Sequence, residues 1–301
     1  MPMLMCGIFL ALEQLAAQPD PNSDTSTGSL KVVAVNGVQL HYQETGTGPP
    51  VVLIHGARDD YREWSPQIRP FSEHYRVVAY SRRYNYPNDN PETADHSAIV
   101  EARDLASLLD ALKLDRVHLV GDSYGALTAL FFATQHPDRV HSLTLAEPPI
   151  LKWLPQIPGG QAELDRFMTT MWKPAGDAFR KEQPETALRI TLDYLSGKGA
   201  YENLPPEARR QLVSDVREWK ALTASRDPFP MLDREAVKRL NVATLLITGE
   251  KTLTPLRMIV EELSRVMPAA ECVTIPGATH EMWEEEPEAC GKTTLSFLEK
   301  R

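Results

Sequence analysis

Between the apolar run ending at Val120 and a helix-forming stretch from Tyr124 to Gln135, the chain reads Gly121-Asp122-Ser123-Tyr124-Gly125. Gly-x-Ser-x-Gly alone recurs by chance. Placed between a strand and a helix it has a physical meaning: the turn is so tight that its flanks tolerate little beyond glycine. It forces the serine into a strained conformation with an exposed hydroxyl, above a helix N-terminus that favours developing negative charge. Ser123 is therefore the candidate nucleophile for acyl transfer. The alternative role for the same residue is a simple helix N-cap. A carboxylate at this position would itself form an ester intermediate by attack on an electrophilic carbon, so the serine argues for acyl transfer.

A serine hydroxyl needs an adjacent base near neutral pH. Eight histidines compete: His41, His55, His74, His96, His118, His136, His141 and His280. Only His280 falls in a loop after the last expected strand, where loops at the C-terminal ends of parallel strands converge. A base with an ordinary histidine pKa would lose activity as pH falls through about 6.5. The base in turn needs a carboxylate to orient it and to stabilise its charged form. Three carboxylates are candidates: Glu147, 24 residues after Ser123 at the end of Ser142–Ala146, Glu250 and Glu281. Glu281 adjoins His280, and a sequence neighbour normally points away from its partner.

The elements that position these residues alternate along the chain. Short β-rich runs span Lys31–Val35 and Val38–Gln43, joined by the hairpin signal Asn36-Gly37. Fully apolar runs at Val51–Ile54 and Val77–Tyr80, and largely apolar ones at Val117–Val120, Ser142–Ala146, Val242–Thr248 and Cys272–Ile275, read as buried strands. Helical patterns fall at Ile99–Leu112, at Tyr124–Gln135 and after Pro287. Strands alternating with helices predict an α/β fold with a mainly parallel sheet covered on both faces. Residues 148–241 break the strand pattern and read as an inserted helical cap, so the core is expected at 30–147 and 242–301.

The chain resembles the α/β-hydrolase fold family from Val32 to Leu298. The resemblance rests on the turn around Ser123, on His55-Gly56-Ala57 after Val51–Ile54, and on Gly277-Ala278-Thr279-His280 after the last strand, in the order the family uses. It implies an oxyanion hole from two backbone N–H groups, at Tyr124 and Ala57. His55 then shapes its loop by bonding to backbone. The commonest family pattern places an aspartate three residues after the glycine that ends the seventh strand. Here that position is Thr252, which cannot hold a charge against an imidazolium. Relatives that carry the acid after the sixth strand, among them zearalenone lactonases and certain haloalkane dehalogenases, have a spacing similar to that of Glu147, so the resemblance implies Glu147 as the preferred acid.

The resemblance implies a serine hydrolase that cleaves a carboxylic ester or lactone without cofactor or metal. The alternatives are a small-molecule receptor of the same fold with little turnover, or non-hydrolytic chemistry such as C–C cleavage or acyl transfer. Arg58, Trp64, Trp153, Trp172 and Met282 are the candidate substrate-contacting side chains, with core packing the alternative for Trp64, Met282 and Trp283 and for the cap aromatics Trp153, Phe167 and Trp172. Arg82 and Arg83 are expected to pair with the Asp59/Asp60 stretch, the alternative being recognition of an anionic substrate.

Composition narrows the partners. The 301 residues carry 32 basic and 41 acidic side chains, a net charge of −9 that repels nucleic-acid backbones. No window has the roughly 18 consecutive apolar residues of a membrane span. Cys6, Cys272 and Cys290 show neither disulfide nor metal-ligand spacing. The acidic cluster at residues 281–288 reads as a solvated face. Residues 1–18 fit a clipped signal segment or an amphipathic helix, leaving cytoplasmic and exported locations both open, and 19–29 read as a linker. Oligomeric state is left open.

Overall fold

The computed structural model describes residues 29–301, except residue 215. The expected N-terminal apolar segment and nearly all of the linker lie outside the described residues. Eight strands form one sheet: β1 (Lys31–Val35), β2 (Val38–Thr45), β3 (Pro50–Ile54), β4 (Arg76–Tyr80), β5 (Val117–Asp122), β6 (Val140–Ala146), β7 (Ala243–Gly249) and β8 (Glu271–Ile275). Their order is β1-β2-β4-β3-β5-β6-β7-β8. β2 pairs antiparallel with both β1 and β4, and β4, β3, β5, β6, β7 and β8 pair in parallel with one another.

Helices α1 (Ser65–Ser72), α2 (Ala98–Ala111) and α3 (Ser123–Gln135) connect the strands up to β6. A helical insertion follows, with α4 (Gly160–Phe167), α5 (Lys173–Arg180), α6 (Pro184–Ser196), α7 (Ala200–Asn203), α8 (Pro206–Ser214), α9 (Arg217–Ala224) and α10 (Arg234–Lys238). A π-helical turn at Met168–Trp172 joins α4 to α5. Helix α11 (Thr254–Val266) links β7 to β8, and α12 (Met282–Glu285) and α13 (Pro287–Leu298) complete the described chain. Outside the insertion three helices escape the sequence reading: α1, α11 and the four-residue α12. α1 is short and has a proline inside it, Pro70. α11 begins at a threonine–proline pair and carries a strongly two-sided pattern, with Leu256, Ile259, Val260 and Leu263 buried. Among the described residues no helix is long and apolar enough to cross a membrane.

Strands β3 to β7 are buried on both faces because each feeds two cores; β8, at the edge of the sheet, departs from the expectation, with Cys272 and Thr274 exposed on its uncovered face. Val52 and Ile54 of β3 pack with α2, α3 and the insertion, whereas Val51 and Leu53 pack with Trp64, Ile68 and Phe71 on the α1 side. The parallel register then levels the strand ends. Ile54 pairs with Gly121, Asp122 with Ala146, Ala146 with Ile247, and Gly249 with Ile275. Five strands thus deliver the loops carrying Ala57, Ser123, Glu147, Thr252 and His280 to one rim.

Close packing at the Ser123 turn explains its glycines. A Cβ on Gly121 would lie 2.7 Å from the Cα of Ala126, and one on Gly125 would overlap the carbonyl oxygen of Ile54. Helix α3 can approach β3 only if position 125 has no side chain. Gly125→Ala should therefore destabilise the fold by about 1–3 kcal/mol, the usual range for overpacking. The check is thermal unfolding of the variant beside wild type, which should show a lowered midpoint.

Candidate active site

Ser123 sits at φ +46°, the left-handed region, which only the tight packing around it sustains. Its Oγ lies 3.0 Å from His280 Nε2. On the far side of the ring, His280 Nδ1 lies 2.5 Å from Glu147 Oε2. The sequence-predicted serine, histidine and acid thus form one continuous chain, Ser123–His280–Glu147.

Glu147 also has a positive φ, +44°, so the chain turns sharply as it leaves β6 and aims the carboxylate toward the end of β7. The side chain has no exposed surface. Its Oε1 accepts from Thr248 Oγ1 (2.7 Å) and from the Gly249 N–H (2.9 Å), and its Oε2 accepts from Thr252 Oγ1 (2.7 Å). Burial opposes ionisation, but His280 and the threonine hydroxyls outweigh it and hold the carboxyl below its ordinary range. Thr252 serves here as a donor to an acid on the neighbouring strand. Glu250 turns away and accepts from the Gly277 N–H at 2.7 Å. Glu281 makes a loose pair with Arg58 at 3.7 Å instead of reaching His280.

His280 corrects the expected pH dependence. Burial disfavours the charged ring, but the hydrogen bond and charge of Glu147, reinforced by Asp122, push its pKa up to about 9. The expected acid limb near 6.5 therefore moves to alkaline pH. Asp122 is itself a buried acid pushed up to about 8, chiefly by burial, with one carboxylate oxygen that finds no hydrogen-bond partner.

The loop after β3 is held from both sides. His55 Nε2 accepts from the Arg82 N–H (2.9 Å), which leaves Nδ1 to donate to the Gly56 carbonyl (2.8 Å). Burial and the nearby Arg82 charge keep this ring neutral. The Gly56 N–H donates to Glu63 (2.9 Å) and the Arg58 N–H to Glu218 (2.9 Å). Ala57, between them, lines the same cavity as Ser123 and Tyr124.

That cavity has a volume of about 80 Å³, several times the roughly 10–15 Å³ that one water needs. Its polar rim holds Ser123, His280, Arg58, Asp59, Asp122 and Glu281. Its walls are apolar and come largely from the insertion, with Phe167, Met171, Trp219 and Phe229 among them. Of the expected contact residues, Arg58 lines the cavity. Trp64 and Met282 do not, because both are fully buried on the α1 side of the sheet, Trp64 edge-on to Trp283. Trp153 is drawn off by a hydrogen bond to the Leu232 carbonyl and by the Arg234 guanidinium over its ring. Trp172 packs on Phe167, Trp219 and Phe229, one layer behind the wall.

The arginines also depart from expectation. Arg83 forms a two-pronged pair with Asp104 at 2.6–2.7 Å, and Asp60 pairs with Arg62. Arg82 is fully buried and pairs with Glu101 (3.3 Å) and with Glu218 on α9. His96, Glu101 and Glu218 place one ligand atom each within 4.8 Å of one another, a spacing that could hold a metal ion. The Arg82 guanidinium already stands against both carboxylates as their counter-ion, so these residues do not fit a dication. Sequence reasoning missed Glu218 and Thr248 because nothing local marks a partner about a hundred residues or more away.

The sequence matches the alpha/beta hydrolase family over residues 51–292. The chain belongs to the α/β-hydrolase family. It is 36% identical to serine hydrolase BPHL of Homo sapiens over 289 residues, covering 94% of this chain and 90% of that protein. A 32% identical match to epoxide hydrolase 3 of Siraitia grosvenorii spans 42% of this chain but only 40% of that protein. Among solved structures, the enol-lactonase from Burkholderia xenovorans LB400 superposes with a TM-score of 0.69 at 25% identity, covering 89% of this chain and 99% of that one. The chain is thus a serine hydrolase homologue with this family's mostly parallel sheet and helical insertion.

If Glu147 orients His280, Glu147→Gln should lower kcat by about 10⁴-fold, the loss seen when a triad acid becomes an amide, while Glu250→Gln stays near wild type. The base must be neutral to accept the serine proton, so activity should fall as pH drops through the raised His280 pKa of about 9. Removing the Glu147 charge should move that limb to lower pH. Both follow from kcat/KM against pH for the three proteins.

Proposed function

We propose that this chain is a serine hydrolase of carboxylic esters or lactones that works through an acyl-enzyme on Ser123. The reading rests above all on the Ser123–His280–Glu147 hydrogen-bond chain, with contacts of 3.0 Å and 2.5 Å. Ser123 Oγ attacks the carbonyl carbon as its proton passes to His280 Nε2. The Nδ1–H of the resulting imidazolium is held by Glu147. The backbone N–H groups of Ala57 and Tyr124 stabilise the oxyanion, an effect worth about 2.7–4 kcal/mol per donor in measured cases. Collapse of the tetrahedral intermediate expels the alkoxide, which takes the proton from His280. For a lactone the alcohol stays attached to the acyl group. Water, deprotonated by His280, then attacks the acyl-enzyme and releases the acid and free Ser123.

Serine in place of aspartate at the turn favours this chemistry over epoxide opening, despite the partial match to an epoxide hydrolase. The enol-lactonase and the serine hydrolase among the similar proteins point the same way. A small, largely apolar cavity suits a compact acyl group, with bulkier substrates requiring the insertion to move.

The test is labelling with a fluorophosphonate, with the adduct mapped by peptide mass spectrometry, followed by a panel of short-chain p-nitrophenyl esters and simple lactones. Stoichiometric label on Ser123, blocked by Ser123→Ala, together with multiple turnovers on the panel, is expected. A folded protein that takes no label and turns over no ester or lactone would refute the proposal.

A further inference from the structure

The two residues assigned to the oxyanion hole, Ala57 and Tyr124, lie on different strand-end loops, and the same part of the insertion reaches both. Glu218 on α9 accepts from the Arg58 N–H at 2.9 Å, one residue beyond Ala57. Arg58 is held there at φ +70°, a left-handed conformation a non-glycine residue seldom takes without support. On the other side, Tyr124 Oη donates to the Pro228 carbonyl, four residues after α9 ends, at 2.6 Å.

Glu218 is well placed for such a task. It is fully buried, although it belongs to the insertion. The oxygen that receives Arg58 also accepts from Asn85 Nδ2 at 2.9 Å, and its other oxygen takes the Arg82 guanidinium. Arg82 in turn donates to the carbonyls of His55 (3.1 Å) and Gly56 (2.9 Å). The carboxylate therefore fixes the β3 loop twice, directly through one N–H and through Arg82 by two carbonyls. Neighbouring Arg217 docks the same helix on the core through the carbonyls of Asn88 (3.2 Å) and Asn90 (2.6 Å).

We propose that Glu218 is a positioning residue that couples seating of the insertion to assembly of the oxyanion hole, with the Tyr124 hydroxyl as the second tie. A peptide N–H aimed at an oxyanion must be oriented before the reaction. Here the orientation of the Ala57 peptide depends on a side chain 161 positions further along the sequence. With the insertion seated, both donors are aligned. With it lifted, the β3 loop loses the acceptor that stabilises the left-handed Arg58.

The proposal rests on the Ser123 reading above, and the test separates the two. Each protein is assayed for kcat and KM on an ester that wild type hydrolyses. Affinity for phenylboronic acid, which forms a tetrahedral adduct on an activated serine, is measured beside these. Glu218→Ala should lower kcat by about 10–100-fold, as expected for a displaced catalytic donor. KM should stay within about threefold, because ground-state contacts survive, and boronate affinity should fall in step with kcat. Glu218→Gln, which keeps an acceptor oxygen, should recover part of the loss. Tyr124→Phe, which leaves the buried ion pairs intact and does not depend on Glu218→Ala folding, should reduce kcat by about 3–10-fold with the same signature, roughly the worth of one hydrogen bond. Folded variants with wild-type kcat, or with losses carried by KM alone, would overturn the coupling. Failure of wild type to label at Ser123 would instead count against the triad.

Discussion

A carboxylate with no exposed surface has to be surrounded by donors, because burying an unpaired charge costs several kcal/mol. Glu147 meets that requirement with two threonine hydroxyls, one backbone N–H and the ring of His280. The donors come from the end of β7 and the segments after β7 and β8. They can gather around one side chain only if β6, β7 and β8 end level and Glu147 turns through a positive φ. Sheet register, the backbone at Glu147 and the place of His280 thus answer to one electrostatic demand.

That demand sets the character of the site. The Glu147 charge is what raises His280 against the desolvation that would lower it, so orientation and basicity of the ring share a cause. Around the triad the protein keeps other ionisable groups buried as well. Asp122 and Glu101 are both pushed up to about 8, chiefly by burial. Arg82 sits between Glu101 and Glu218 and carries their opposing charges at the seam between core and insertion. Polar groups inside a low-dielectric region are rigid once satisfied. Rigidity is what preorganised catalysis requires.

Much of this was legible in the sequence, for identifiable reasons. The apolar runs of β3 to β7 announced both-face burial because side chains alternate across a strand, whereas β8 at the sheet edge leaves one face uncovered; the helix after Ser123 announced its turn. His280 emerged because strand order fixes which loops share a rim. Glu147 was readable through what stood in its usual place, Thr252, whose hydroxyl now supports it. What stayed hidden was long-range pairing. Arg82 and Arg83 were expected to meet the nearby Asp59/Asp60 stretch and instead found Glu218, Glu101 and Asp104. The cavity wall was equally opaque. Trp64, Trp153 and Met282 carry the bulk of substrate-contacting residues, but core packing and one indole hydrogen bond claimed them. Composition does not distinguish a wall residue from the layer behind it, as Trp172 shows.

The central claim is that the Glu147 charge, delivered from β6, holds and charges His280. The most direct measurement is proton NMR of the His280 ring across pH in wild type, Glu147→Gln and Glu250→Gln. A strongly downfield Nδ1–H resonance, with ring titration near the raised value of about 9 in wild type and Glu250→Gln and both features lost in Glu147→Gln, is the predicted result. A wild-type ring that titrates near the ordinary value of about 6.5 and ignores the Glu147 substitution would contradict it.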